Sequence, residues 1–137
     1  MTETPEITFE QLSGAYAMRA KFYMHMFDVL RDALGADKTV ELMSEATYRL
    51  GAEMGEKFKP HGPANIEALT EQFLNSIPCR DRLFAPELIK CDSEGMEIQF
   101  HNCPLKDNWE AAGRAGEELE MLCRAGGAID IGMFTAA

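Results

Sequence analysis

Residues 88–101 read LIKCDSEGMEIQFH, and their apolar and polar side chains alternate on both sides of a central turn. Alternation at every second residue predicts strands with one buried face. The turn falls at residues 92–95, where Asp, Ser, Glu and Gly are types that turns favour. Leu88–His101 is therefore predicted to form a β-hairpin, whose apolar face comprises Ile89, Cys91, Met96, Ile98 and Phe100. Because a lone hairpin is only marginally stable in water, it must pack against helices or pair with a further strand.

Helical periodicity fills the chain before this hairpin. Apolar residues at steps of three and four predict a first helix over Thr8–Leu34, which Thr8 caps and Gly35 ends. A second helix is predicted from Asp37, as its cap, to Lys59, lying along the first as an antiparallel partner. A third is predicted from Asn65 to Ser76. Between Phe22 and Leu30 the first helix is apolar nearly all round, so we expect it to be covered on more than one side.

The chain after the hairpin is predicted to form short helices. Pro104 opens one that reaches Ala112, and Gly116–Ala125 forms a second. The pair Gly126-Gly127 is expected to break this second helix, which leaves a weakly helical Ala128–Thr135. The predicted fold class is α+β and mainly α, with N-terminal helices packed on a small antiparallel hairpin and short C-terminal helices after it. We predict a single domain over residues 1–137, since the pattern contains no internal boundary.

Charge and composition exclude several classes of function. The 137 residues hold 13 Lys and Arg against 23 Asp and Glu, and the net charge of -10 repels nucleic-acid phosphates. An apolar share of 46% is typical of an ordinary folded protein. No apolar run is long enough to cross a membrane, and the acidic N-terminus is unlike a secretory signal. We therefore expect a cytoplasmic protein that binds a small molecule and neither nucleic acid nor membrane.

Four cysteines stand at positions 79, 91, 103 and 123. They form no Cys-x-x-Cys pair, and their spacing matches no zinc module. In a reducing compartment such cysteines are free thiols, so Cys79 and Cys91 are interpreted as small buried hydrophobic residues. The other two cysteines are the candidates for chemistry.

Cys103 is the strongest of these candidates. It follows the second predicted strand and precedes Pro104, a residue type favoured at the first position of a helix. This places the sulfur at or near the helix N-cap, where backbone N–H groups and the helix dipole stabilise a thiolate. A thiolate of this kind is a nucleophile or binds an electrophilic ligand. Alternatively, Cys103 only caps the helix or fills the edge of the core.

Three residues near Cys103 each allow a functional and a structural interpretation. His101 acts as a base or orients a substrate from the same strand face, or it is a surface histidine at the hairpin end. Asp107 either takes part in catalysis or stabilises the first helical turn through the dipole. Trp109, the single tryptophan, either lines a pocket or anchors its helix in the core.

Two residues of the C-terminal segment complete the candidate set. Cys123 shares a helical face with Leu119, so its spacing indicates burial. Asp130 lies between Ile129 and Ile131 in an otherwise apolar run. Its carboxylate is either the one solvated position of an amphipathic helix or a buried acid with a partner.

Two short segments resemble a known family. Residues 101–107 read HNCPLKD, and residues 122–130 read LCRAGGAID. With the order of helices, hairpin, Cys-Pro pair, second cysteine and aspartate, they resemble the L-2-amino-thiazoline-4-carboxylic acid hydrolase-like family. The resemblance implies hydrolysis of a carbon–nitrogen bond in a small cyclic amidine. The positions that match the family pattern are Cys103, Cys123 and Asp130, with Asp107 as a looser match.

The leading hypothesis is a small hydrolase. Cys103 is its nucleophile or substrate-gripping thiolate, and Asp130, with Asp107, transfers a proton or orients the attacking water. Cys123, His101 and Trp109 are predicted to bind the substrate. We predict no cofactor and no resident metal.

Two alternatives and a mode of assembly stay open at this point. The first alternative is a non-enzymatic binding domain with structural cysteines and an apolar pocket for a small molecule. The second is a thiol-ligated metal site, for which the ligands would be Cys103, Cys123, His101 and Asp130. An exposed sheet edge and long amphipathic helices also favour self-association, so we predict a possible homodimer.

Overall fold

A computed structural model describes residues 7–62, 64–77 and 80–137 of the chain. Cys79, interpreted above as a buried thiol, lies outside the described residues. The elements are, in chain order, α1 (Phe9–Leu34), α2 (Ala36–Gly55), a 3-10 turn (Glu56–Phe58), α3 (Ile66–Asn75), α4 (Arg80–Leu83), β1 (Pro86–Asp92), β2 (Gly95–Phe100), α5 (Pro104–Ala111) and α6 (Gly116–Ala136). This architecture confirms the predicted fold class, which is α+β and mainly α.

The first helix begins and ends where its sequence signals predict. The Thr8 side chain accepts a hydrogen bond from the Gln11 amide at 3.1 Å, and the Gln11 side chain accepts one from the Thr8 amide at 3.0 Å. Gly35 ends α1 with φ 86, a backbone conformation that glycine adopts without strain. The same glycine is the N-cap of α2, so the prediction of Asp37 as the cap is wrong and Asp37 lies in the first turn.

The main partner of α2 is α6 rather than α1, which corrects the predicted pairing. Close approach is possible because three interface positions are glycine: Gly51 and Gly55 on α2 face α6, and Gly132 on α6 faces α2. The buried Thr47 hydroxyl also donates a hydrogen bond to the Ala125 carbonyl oxygen at 2.5 Å. The two helices therefore touch backbone to backbone, a contact that side chains at these positions would prevent.

The last helix runs unbroken from Gly116 to Ala136, so the predicted break at Gly126-Gly127 is wrong. Gly126 is instead a packing position, because a Cβ atom placed there would lie 3.3 Å from the Trp109 ring. The helix keeps its regular geometry, and the missing side chain makes room for the indole. The C-terminal helices are accordingly one short helix, α5, and one long helix, α6.

The predicted hairpin forms, but a bulge changes its buried face. Leu88 pairs with Ile98, and Lys90 pairs with Glu97, which leaves Ile89 as the extra residue between Leu88 and Lys90. Ile89 is therefore exposed, contrary to the predicted alternation, while Cys91 is half-buried. The hairpin packs on α3, where the Thr70 hydroxyl donates to the Met96 sulfur at 3.0 Å. This contact meets the requirement that the two strands lie against a helix.

One face of α1 is exposed, which corrects the expectation that this helix is covered on more than one side. Phe22 is 63% exposed, and Met18 and Val29 on the same face are also exposed. Among the helices of the described residues, none is both long enough and apolar enough to span a membrane. The homodimer stays a prediction, and a monomer mass by light scattering at working concentration would contradict it.

A bidentate ion pair joins α1 to the loop before α6. The Arg114 guanidinium donates to both carboxylate oxygens of Asp28, at 2.8 and 2.7 Å, and both side chains are mostly buried. The hydrogen bond from Arg114 holds the pKa of the Asp28 carboxyl below its usual value, with Arg31 and His25 acting in the same direction. A paired carboxylate of this kind stabilises the fold only while it is ionised.

Arg114→Met is expected to lower the free energy of unfolding by about 1 kcal/mol at pH 7, above the effect of a typical exposed ion pair. Because the folded-state pKa of Asp28 is depressed, the contribution is complete above the unfolded pKa of about 4 and is lost as the pH falls further. Urea unfolding of both proteins between pH 3 and 7 measures this difference. Arg124→Met, which removes an exposed pair with Glu120, is the matched control and should change stability very little.

Candidate active site

Cys103 lies between β2 and α5 and is the N-cap residue of α5, as predicted from the proline that follows it. Its backbone is extended, and its carbonyl oxygen accepts the first hydrogen bond of the helix, from the Asp107 amide at 2.9 Å. The thiol is half-buried. In the described part of the chain it accepts no capping hydrogen bond from the amides of α5, so the sulfur stays available to another group.

Cys123 on α6 is the neighbour of Cys103. Burial raises the pKa of the Cys123 thiol, and the nearby sulfur of Cys103 raises it further, while Lys106 lowers it. The residue is half-buried and packs against the cluster around Trp109 and Leu122. A thiol with a raised pKa stays protonated at neutral pH, so Cys123 is suited to a pocket wall rather than to nucleophilic attack.

Asp130 lies on the same face of α6 as Cys123, because seven residues make nearly two full turns, or about 10 Å of helix. Its side chain reaches the surface, but the surroundings of the carboxyl group still raise its pKa through burial. Among the described residues no hydrogen-bond donor or cation partners it. Asp130 is thus an exposed acid, as in the first interpretation left open by the sequence, and the partner that the second interpretation required is absent among the described residues; its apolar surroundings still raise its pKa.

Asp130 also lines a pocket between α1 and α6, called here the α1–α6 pocket, of about 160 Å³. Its apolar wall comprises Phe84, Phe100, Leu105, Ile129 and Met133. Leu105 follows Cys103 by two residues, so the first turn of α5 contributes to this wall. The opposite side comes from α1 and presents two polar side chains, Tyr16 and Arg19.

The aromatic residues of the pocket are held by edge-to-face contacts. The ring of Tyr16 lies 5.6 Å from that of Phe84, and Phe84 lies 5.9 Å from Phe100. Burial raises the pKa of the Tyr16 hydroxyl, and the Arg19 guanidinium opposes this effect. Tyr16 therefore stays protonated at neutral pH and is able to donate a hydrogen bond.

Sequence reasoning missed Arg19, although a signal for it exists. Tyr16, Arg19 and Tyr23 are spaced by three and four residues, so they share one face of α1. A cation between two aromatic residues on a helical face is unusual, since such faces are normally apolar. The pattern alone, however, contains no sign that this part of α1 faces Asp130.

The other predicted site residues have mainly structural surroundings. His101 is exposed, and its Nε2 atom lies 2.8 Å from the Glu87 carboxylate across the end of the hairpin. Asp107 is exposed in the first turn of α5. Trp109 is 2% exposed, and its indole nitrogen donates to the Ala20 carbonyl oxygen at 2.8 Å. The catalytic or substrate-binding roles given to these three residues stay predictions.

The metal alternative does not fit this geometry. Within residues 7–62, 64–77 and 80–137, no three His, Cys, Asp or Glu side chains are grouped closely enough to hold a metal ion. The proposed ligand set of Cys103, Cys123, His101 and Asp130 is therefore wrong. His101 bonds to Glu87 instead, and Asp130 is two helical turns from Cys123.

A larger cavity of about 530 Å³ lies between α3, β2 and the end of α6. We call it the apolar cavity; its main lining residues are Ile66, Leu69, Phe73, Met96, Ile98 and Phe134. Among its described lining residues there is no ionisable side chain, in contrast to the α1–α6 pocket. The ionisable side chains that acid–base chemistry needs therefore lie in the α1–α6 pocket.

Comparison with known protein families gives a match over most of the chain. The model of a family described as L-2-amino-thiazoline-4-carboxylic acid hydrolase matches residues 15–136. No curated protein and no solved structure matches the chain significantly. The matched range covers nearly the whole chain and includes α5, α6 and the α1–α6 pocket.

Proposed function

Because the chain belongs to the L-2-amino-thiazoline-4-carboxylic acid hydrolase family, we propose that it hydrolyses a carbon–nitrogen bond of a small cyclic amidine of the L-2-amino-thiazoline-4-carboxylate type. Cys103 is the proposed nucleophile, and Asp130 is the proposed proton-transfer group. Asp107, exposed in the first turn of α5, is an auxiliary candidate for orienting the attacking water.

The observation that carries this proposal is the arrangement of α5 against α6. The sulfur of Cys103 is close enough to Cys123 to raise the pKa of that thiol. Asp130 stands on the same face of α6 as Cys123 and lines the α1–α6 pocket. Cys103 is not among the lining residues of this pocket, but Leu105, two residues after it, is. A sulfur nucleophile and an acid with a raised pKa are the two groups that opening an amidine ring needs.

The proposed reaction consumes one water molecule. The Cys103 sulfur adds to the amidine carbon, the ring carbon–nitrogen bond breaks, and its electron pair leaves with the nitrogen. Water then adds to the same carbon and expels the sulfur, which regains its electron pair. The water oxygen becomes the carbonyl oxygen of the product, and Asp130 transfers protons so that both hydrogens of the water end on the released nitrogen.

Turnover of L-2-amino-thiazoline-4-carboxylate tests the proposal. We expect the protein to convert it into a ring-opened product that is heavier by one water, and we expect Cys103→Ser to lose this activity. Cys91→Ser is the matched control, because Cys91 lies on β1 and contacts Thr70 instead of α5. It should retain the activity of the unaltered protein.

The product identifies the bond that breaks. Cleavage of the ring carbon–nitrogen bond releases an amine, whereas cleavage of the carbon–sulfur bond releases a thiol that a thiol reagent detects. A protein that turns over no faster than Cys103→Ser would contradict the proposed function. A thiol product would keep the hydrolase but overturn the proposed bond.

The apolar cavity favours a second candidate, a non-enzymatic protein that binds a small apolar molecule. Its volume of about 530 Å³ is within the range of roughly 300–1,000 Å³ typical of ligand sites, and its described lining residues have no ionisable side chain. Native mass spectrometry of gently purified protein tests this function. A bound apolar molecule together with absent turnover would favour it over hydrolysis.

A further inference from the structure

Among the described residues that line the α1–α6 pocket, Arg19 is the one cation. Its Nε and Nη2 atoms donate hydrogen bonds to the Tyr23 hydroxyl, at 3.1 and 3.0 Å. Its guanidinium carbon also lies 5.3 Å from the centre of the Tyr23 ring and 5.8 Å from that of Tyr16. These contacts fix the position of the guanidinium and leave most of its five N–H donors unused.

Arg19 has no acidic partner in the described part of the chain. This is unexpected in a protein with 23 Asp and Glu against 13 Lys and Arg. Asp130, the acid of the same pocket, does not serve as that partner, because burial raises its pKa and no neighbouring cation lowers it. The pocket therefore contains a cation and an acid that do not pair with one another.

The dimensions of the pocket restrict what it can hold. Its volume of about 160 Å³ is below the roughly 300 Å³ at which sites for drug-sized ligands begin. A ligand that fits inside this pocket is therefore a small molecule, such as the single ring of the proposed substrate, rather than a peptide or nucleotide. The apolar wall of the pocket suits the carbon and sulfur atoms of such a ring.

We propose that Arg19 binds the carboxylate of the substrate and thereby directs its amidine end toward Asp130, which makes Arg19 the residue that selects carboxylated rings. Arginine suits this role because its planar guanidinium meets both carboxylate oxygens at once. Tyr23 acts as a positioning residue, since its hydroxyl holds the guanidinium. This inference rests on the proposed function for the identity of the ring.

Binding and turnover of two probes test the inference: L-2-amino-thiazoline-4-carboxylate and the same ring without its carboxylate. We expect Arg19→Met to weaken binding of the carboxylate about 10- to 100-fold by calorimetry, and to raise KM more than it lowers kcat. Binding of the carboxylate-free ring should not change. Arg19→Lys should restore part of the affinity, and Tyr23→Phe should weaken it less than Arg19→Met.

Arg49→Met is the matched control, because this arginine is exposed on α2 and pairs with Glu45. It should bind both probes like the unaltered protein. An Arg19→Met protein that binds the carboxylate normally, or that loses both probes equally, would overturn the inference, as would an unaltered protein that does not bind the carboxylate. Binding that depends on Arg19 without turnover would instead refute the hydrolase and leave the carboxylate site standing.

Discussion

Replacing Gly132 with alanine is expected to lower the free energy of unfolding by about 3 kcal/mol, the upper end of the usual cost of overpacking. A Cβ atom at this position would lie 2.1 Å from the carbonyl oxygen of Tyr48 and 2.9 Å from its carbonyl carbon. Both atoms belong to the backbone of α2, so no side-chain rotation can relieve the clash. The two helices would have to separate, which would loosen the packing between them.

Gly127→Ala provides the matched control within the same helix. The residue is exposed, and a Cβ atom there would meet nothing within 4 Å. Because alanine is the better helix former, this variant should gain up to about 1 kcal/mol. Urea unfolding followed by circular dichroism measures the free energy of unfolding of both variants. The slope of this free energy against urea concentration shows whether the folded state has loosened. A Gly132→Ala protein as stable as Gly127→Ala would mean that α2 and α6 do not touch through their backbones.

These glycines show why a local pattern misleads in α6. In the sequence, Gly126-Gly127 is typical of a helix break, and each glycine in fact weakens a helix by itself. The structure keeps the helix because Gly126 faces Trp109 and the neighbouring face of α6 packs on α2. Tertiary packing outweighs the local preference, and that packing depends on residues of α2 that lie far away in sequence.

Features that depend on neighbouring residues were predictable. The capping box of Thr8 and Gln11, the start of the third helix at Asn65 and the N-cap position of Cys103 each follow from residues within four positions of one another. The hairpin was predictable for the same reason. Its bulge at Ile89 was not, because alternation specifies a face only while the register is unbroken.

The residues of the candidate site also differ in whether their neighbours in sequence reveal them. Sequence reasoning proposed Cys103, Cys123 and Asp130 because each lies in a short recognisable segment. It did not find Arg19, since that residue lines the same pocket as Asp130 only through the packing of α1 near α6. For Trp109 it left a substrate-binding role and a core role open, and the structure shows an indole in the core with its nitrogen bonded to α1.

Asp130→Asn is expected to lower turnover by about 10²- to 10⁴-fold, the usual contribution of a general acid–base group. Asparagine has nearly the same shape as aspartate but cannot exchange a proton, so the variant tests proton transfer rather than packing. Asp32→Asn is the matched control, because Asp32 has an exposed side chain on α1. It should leave turnover unchanged.

The same variant should make the fold more stable at neutral pH. Burial raises the pKa of the Asp130 carboxyl in the folded protein, so the folded state binds a proton more readily than the unfolded state, whose pKa is about 3.9. Between the unfolded-state pKa and the folded-state pKa, the stability falls as the pH rises. At a pH above both pKa values, the ionised carboxylate has its full destabilising effect. Asparagine has no such charge, so the gain of Asp130→Asn should be present at pH 7 and absent below about pH 4.

Unfolding curves at pH 3.5 and pH 7 separate this outcome from a structural role. If Asp130 were held by a partner that stabilises its charge, Asp130→Asn would lose stability at pH 7 rather than gain it. A variant that gains stability and loses turnover would be the pattern of an acid kept in unfavourable surroundings for its chemistry. A variant that keeps full turnover would remove Asp130 from the proposed mechanism, whatever its stability.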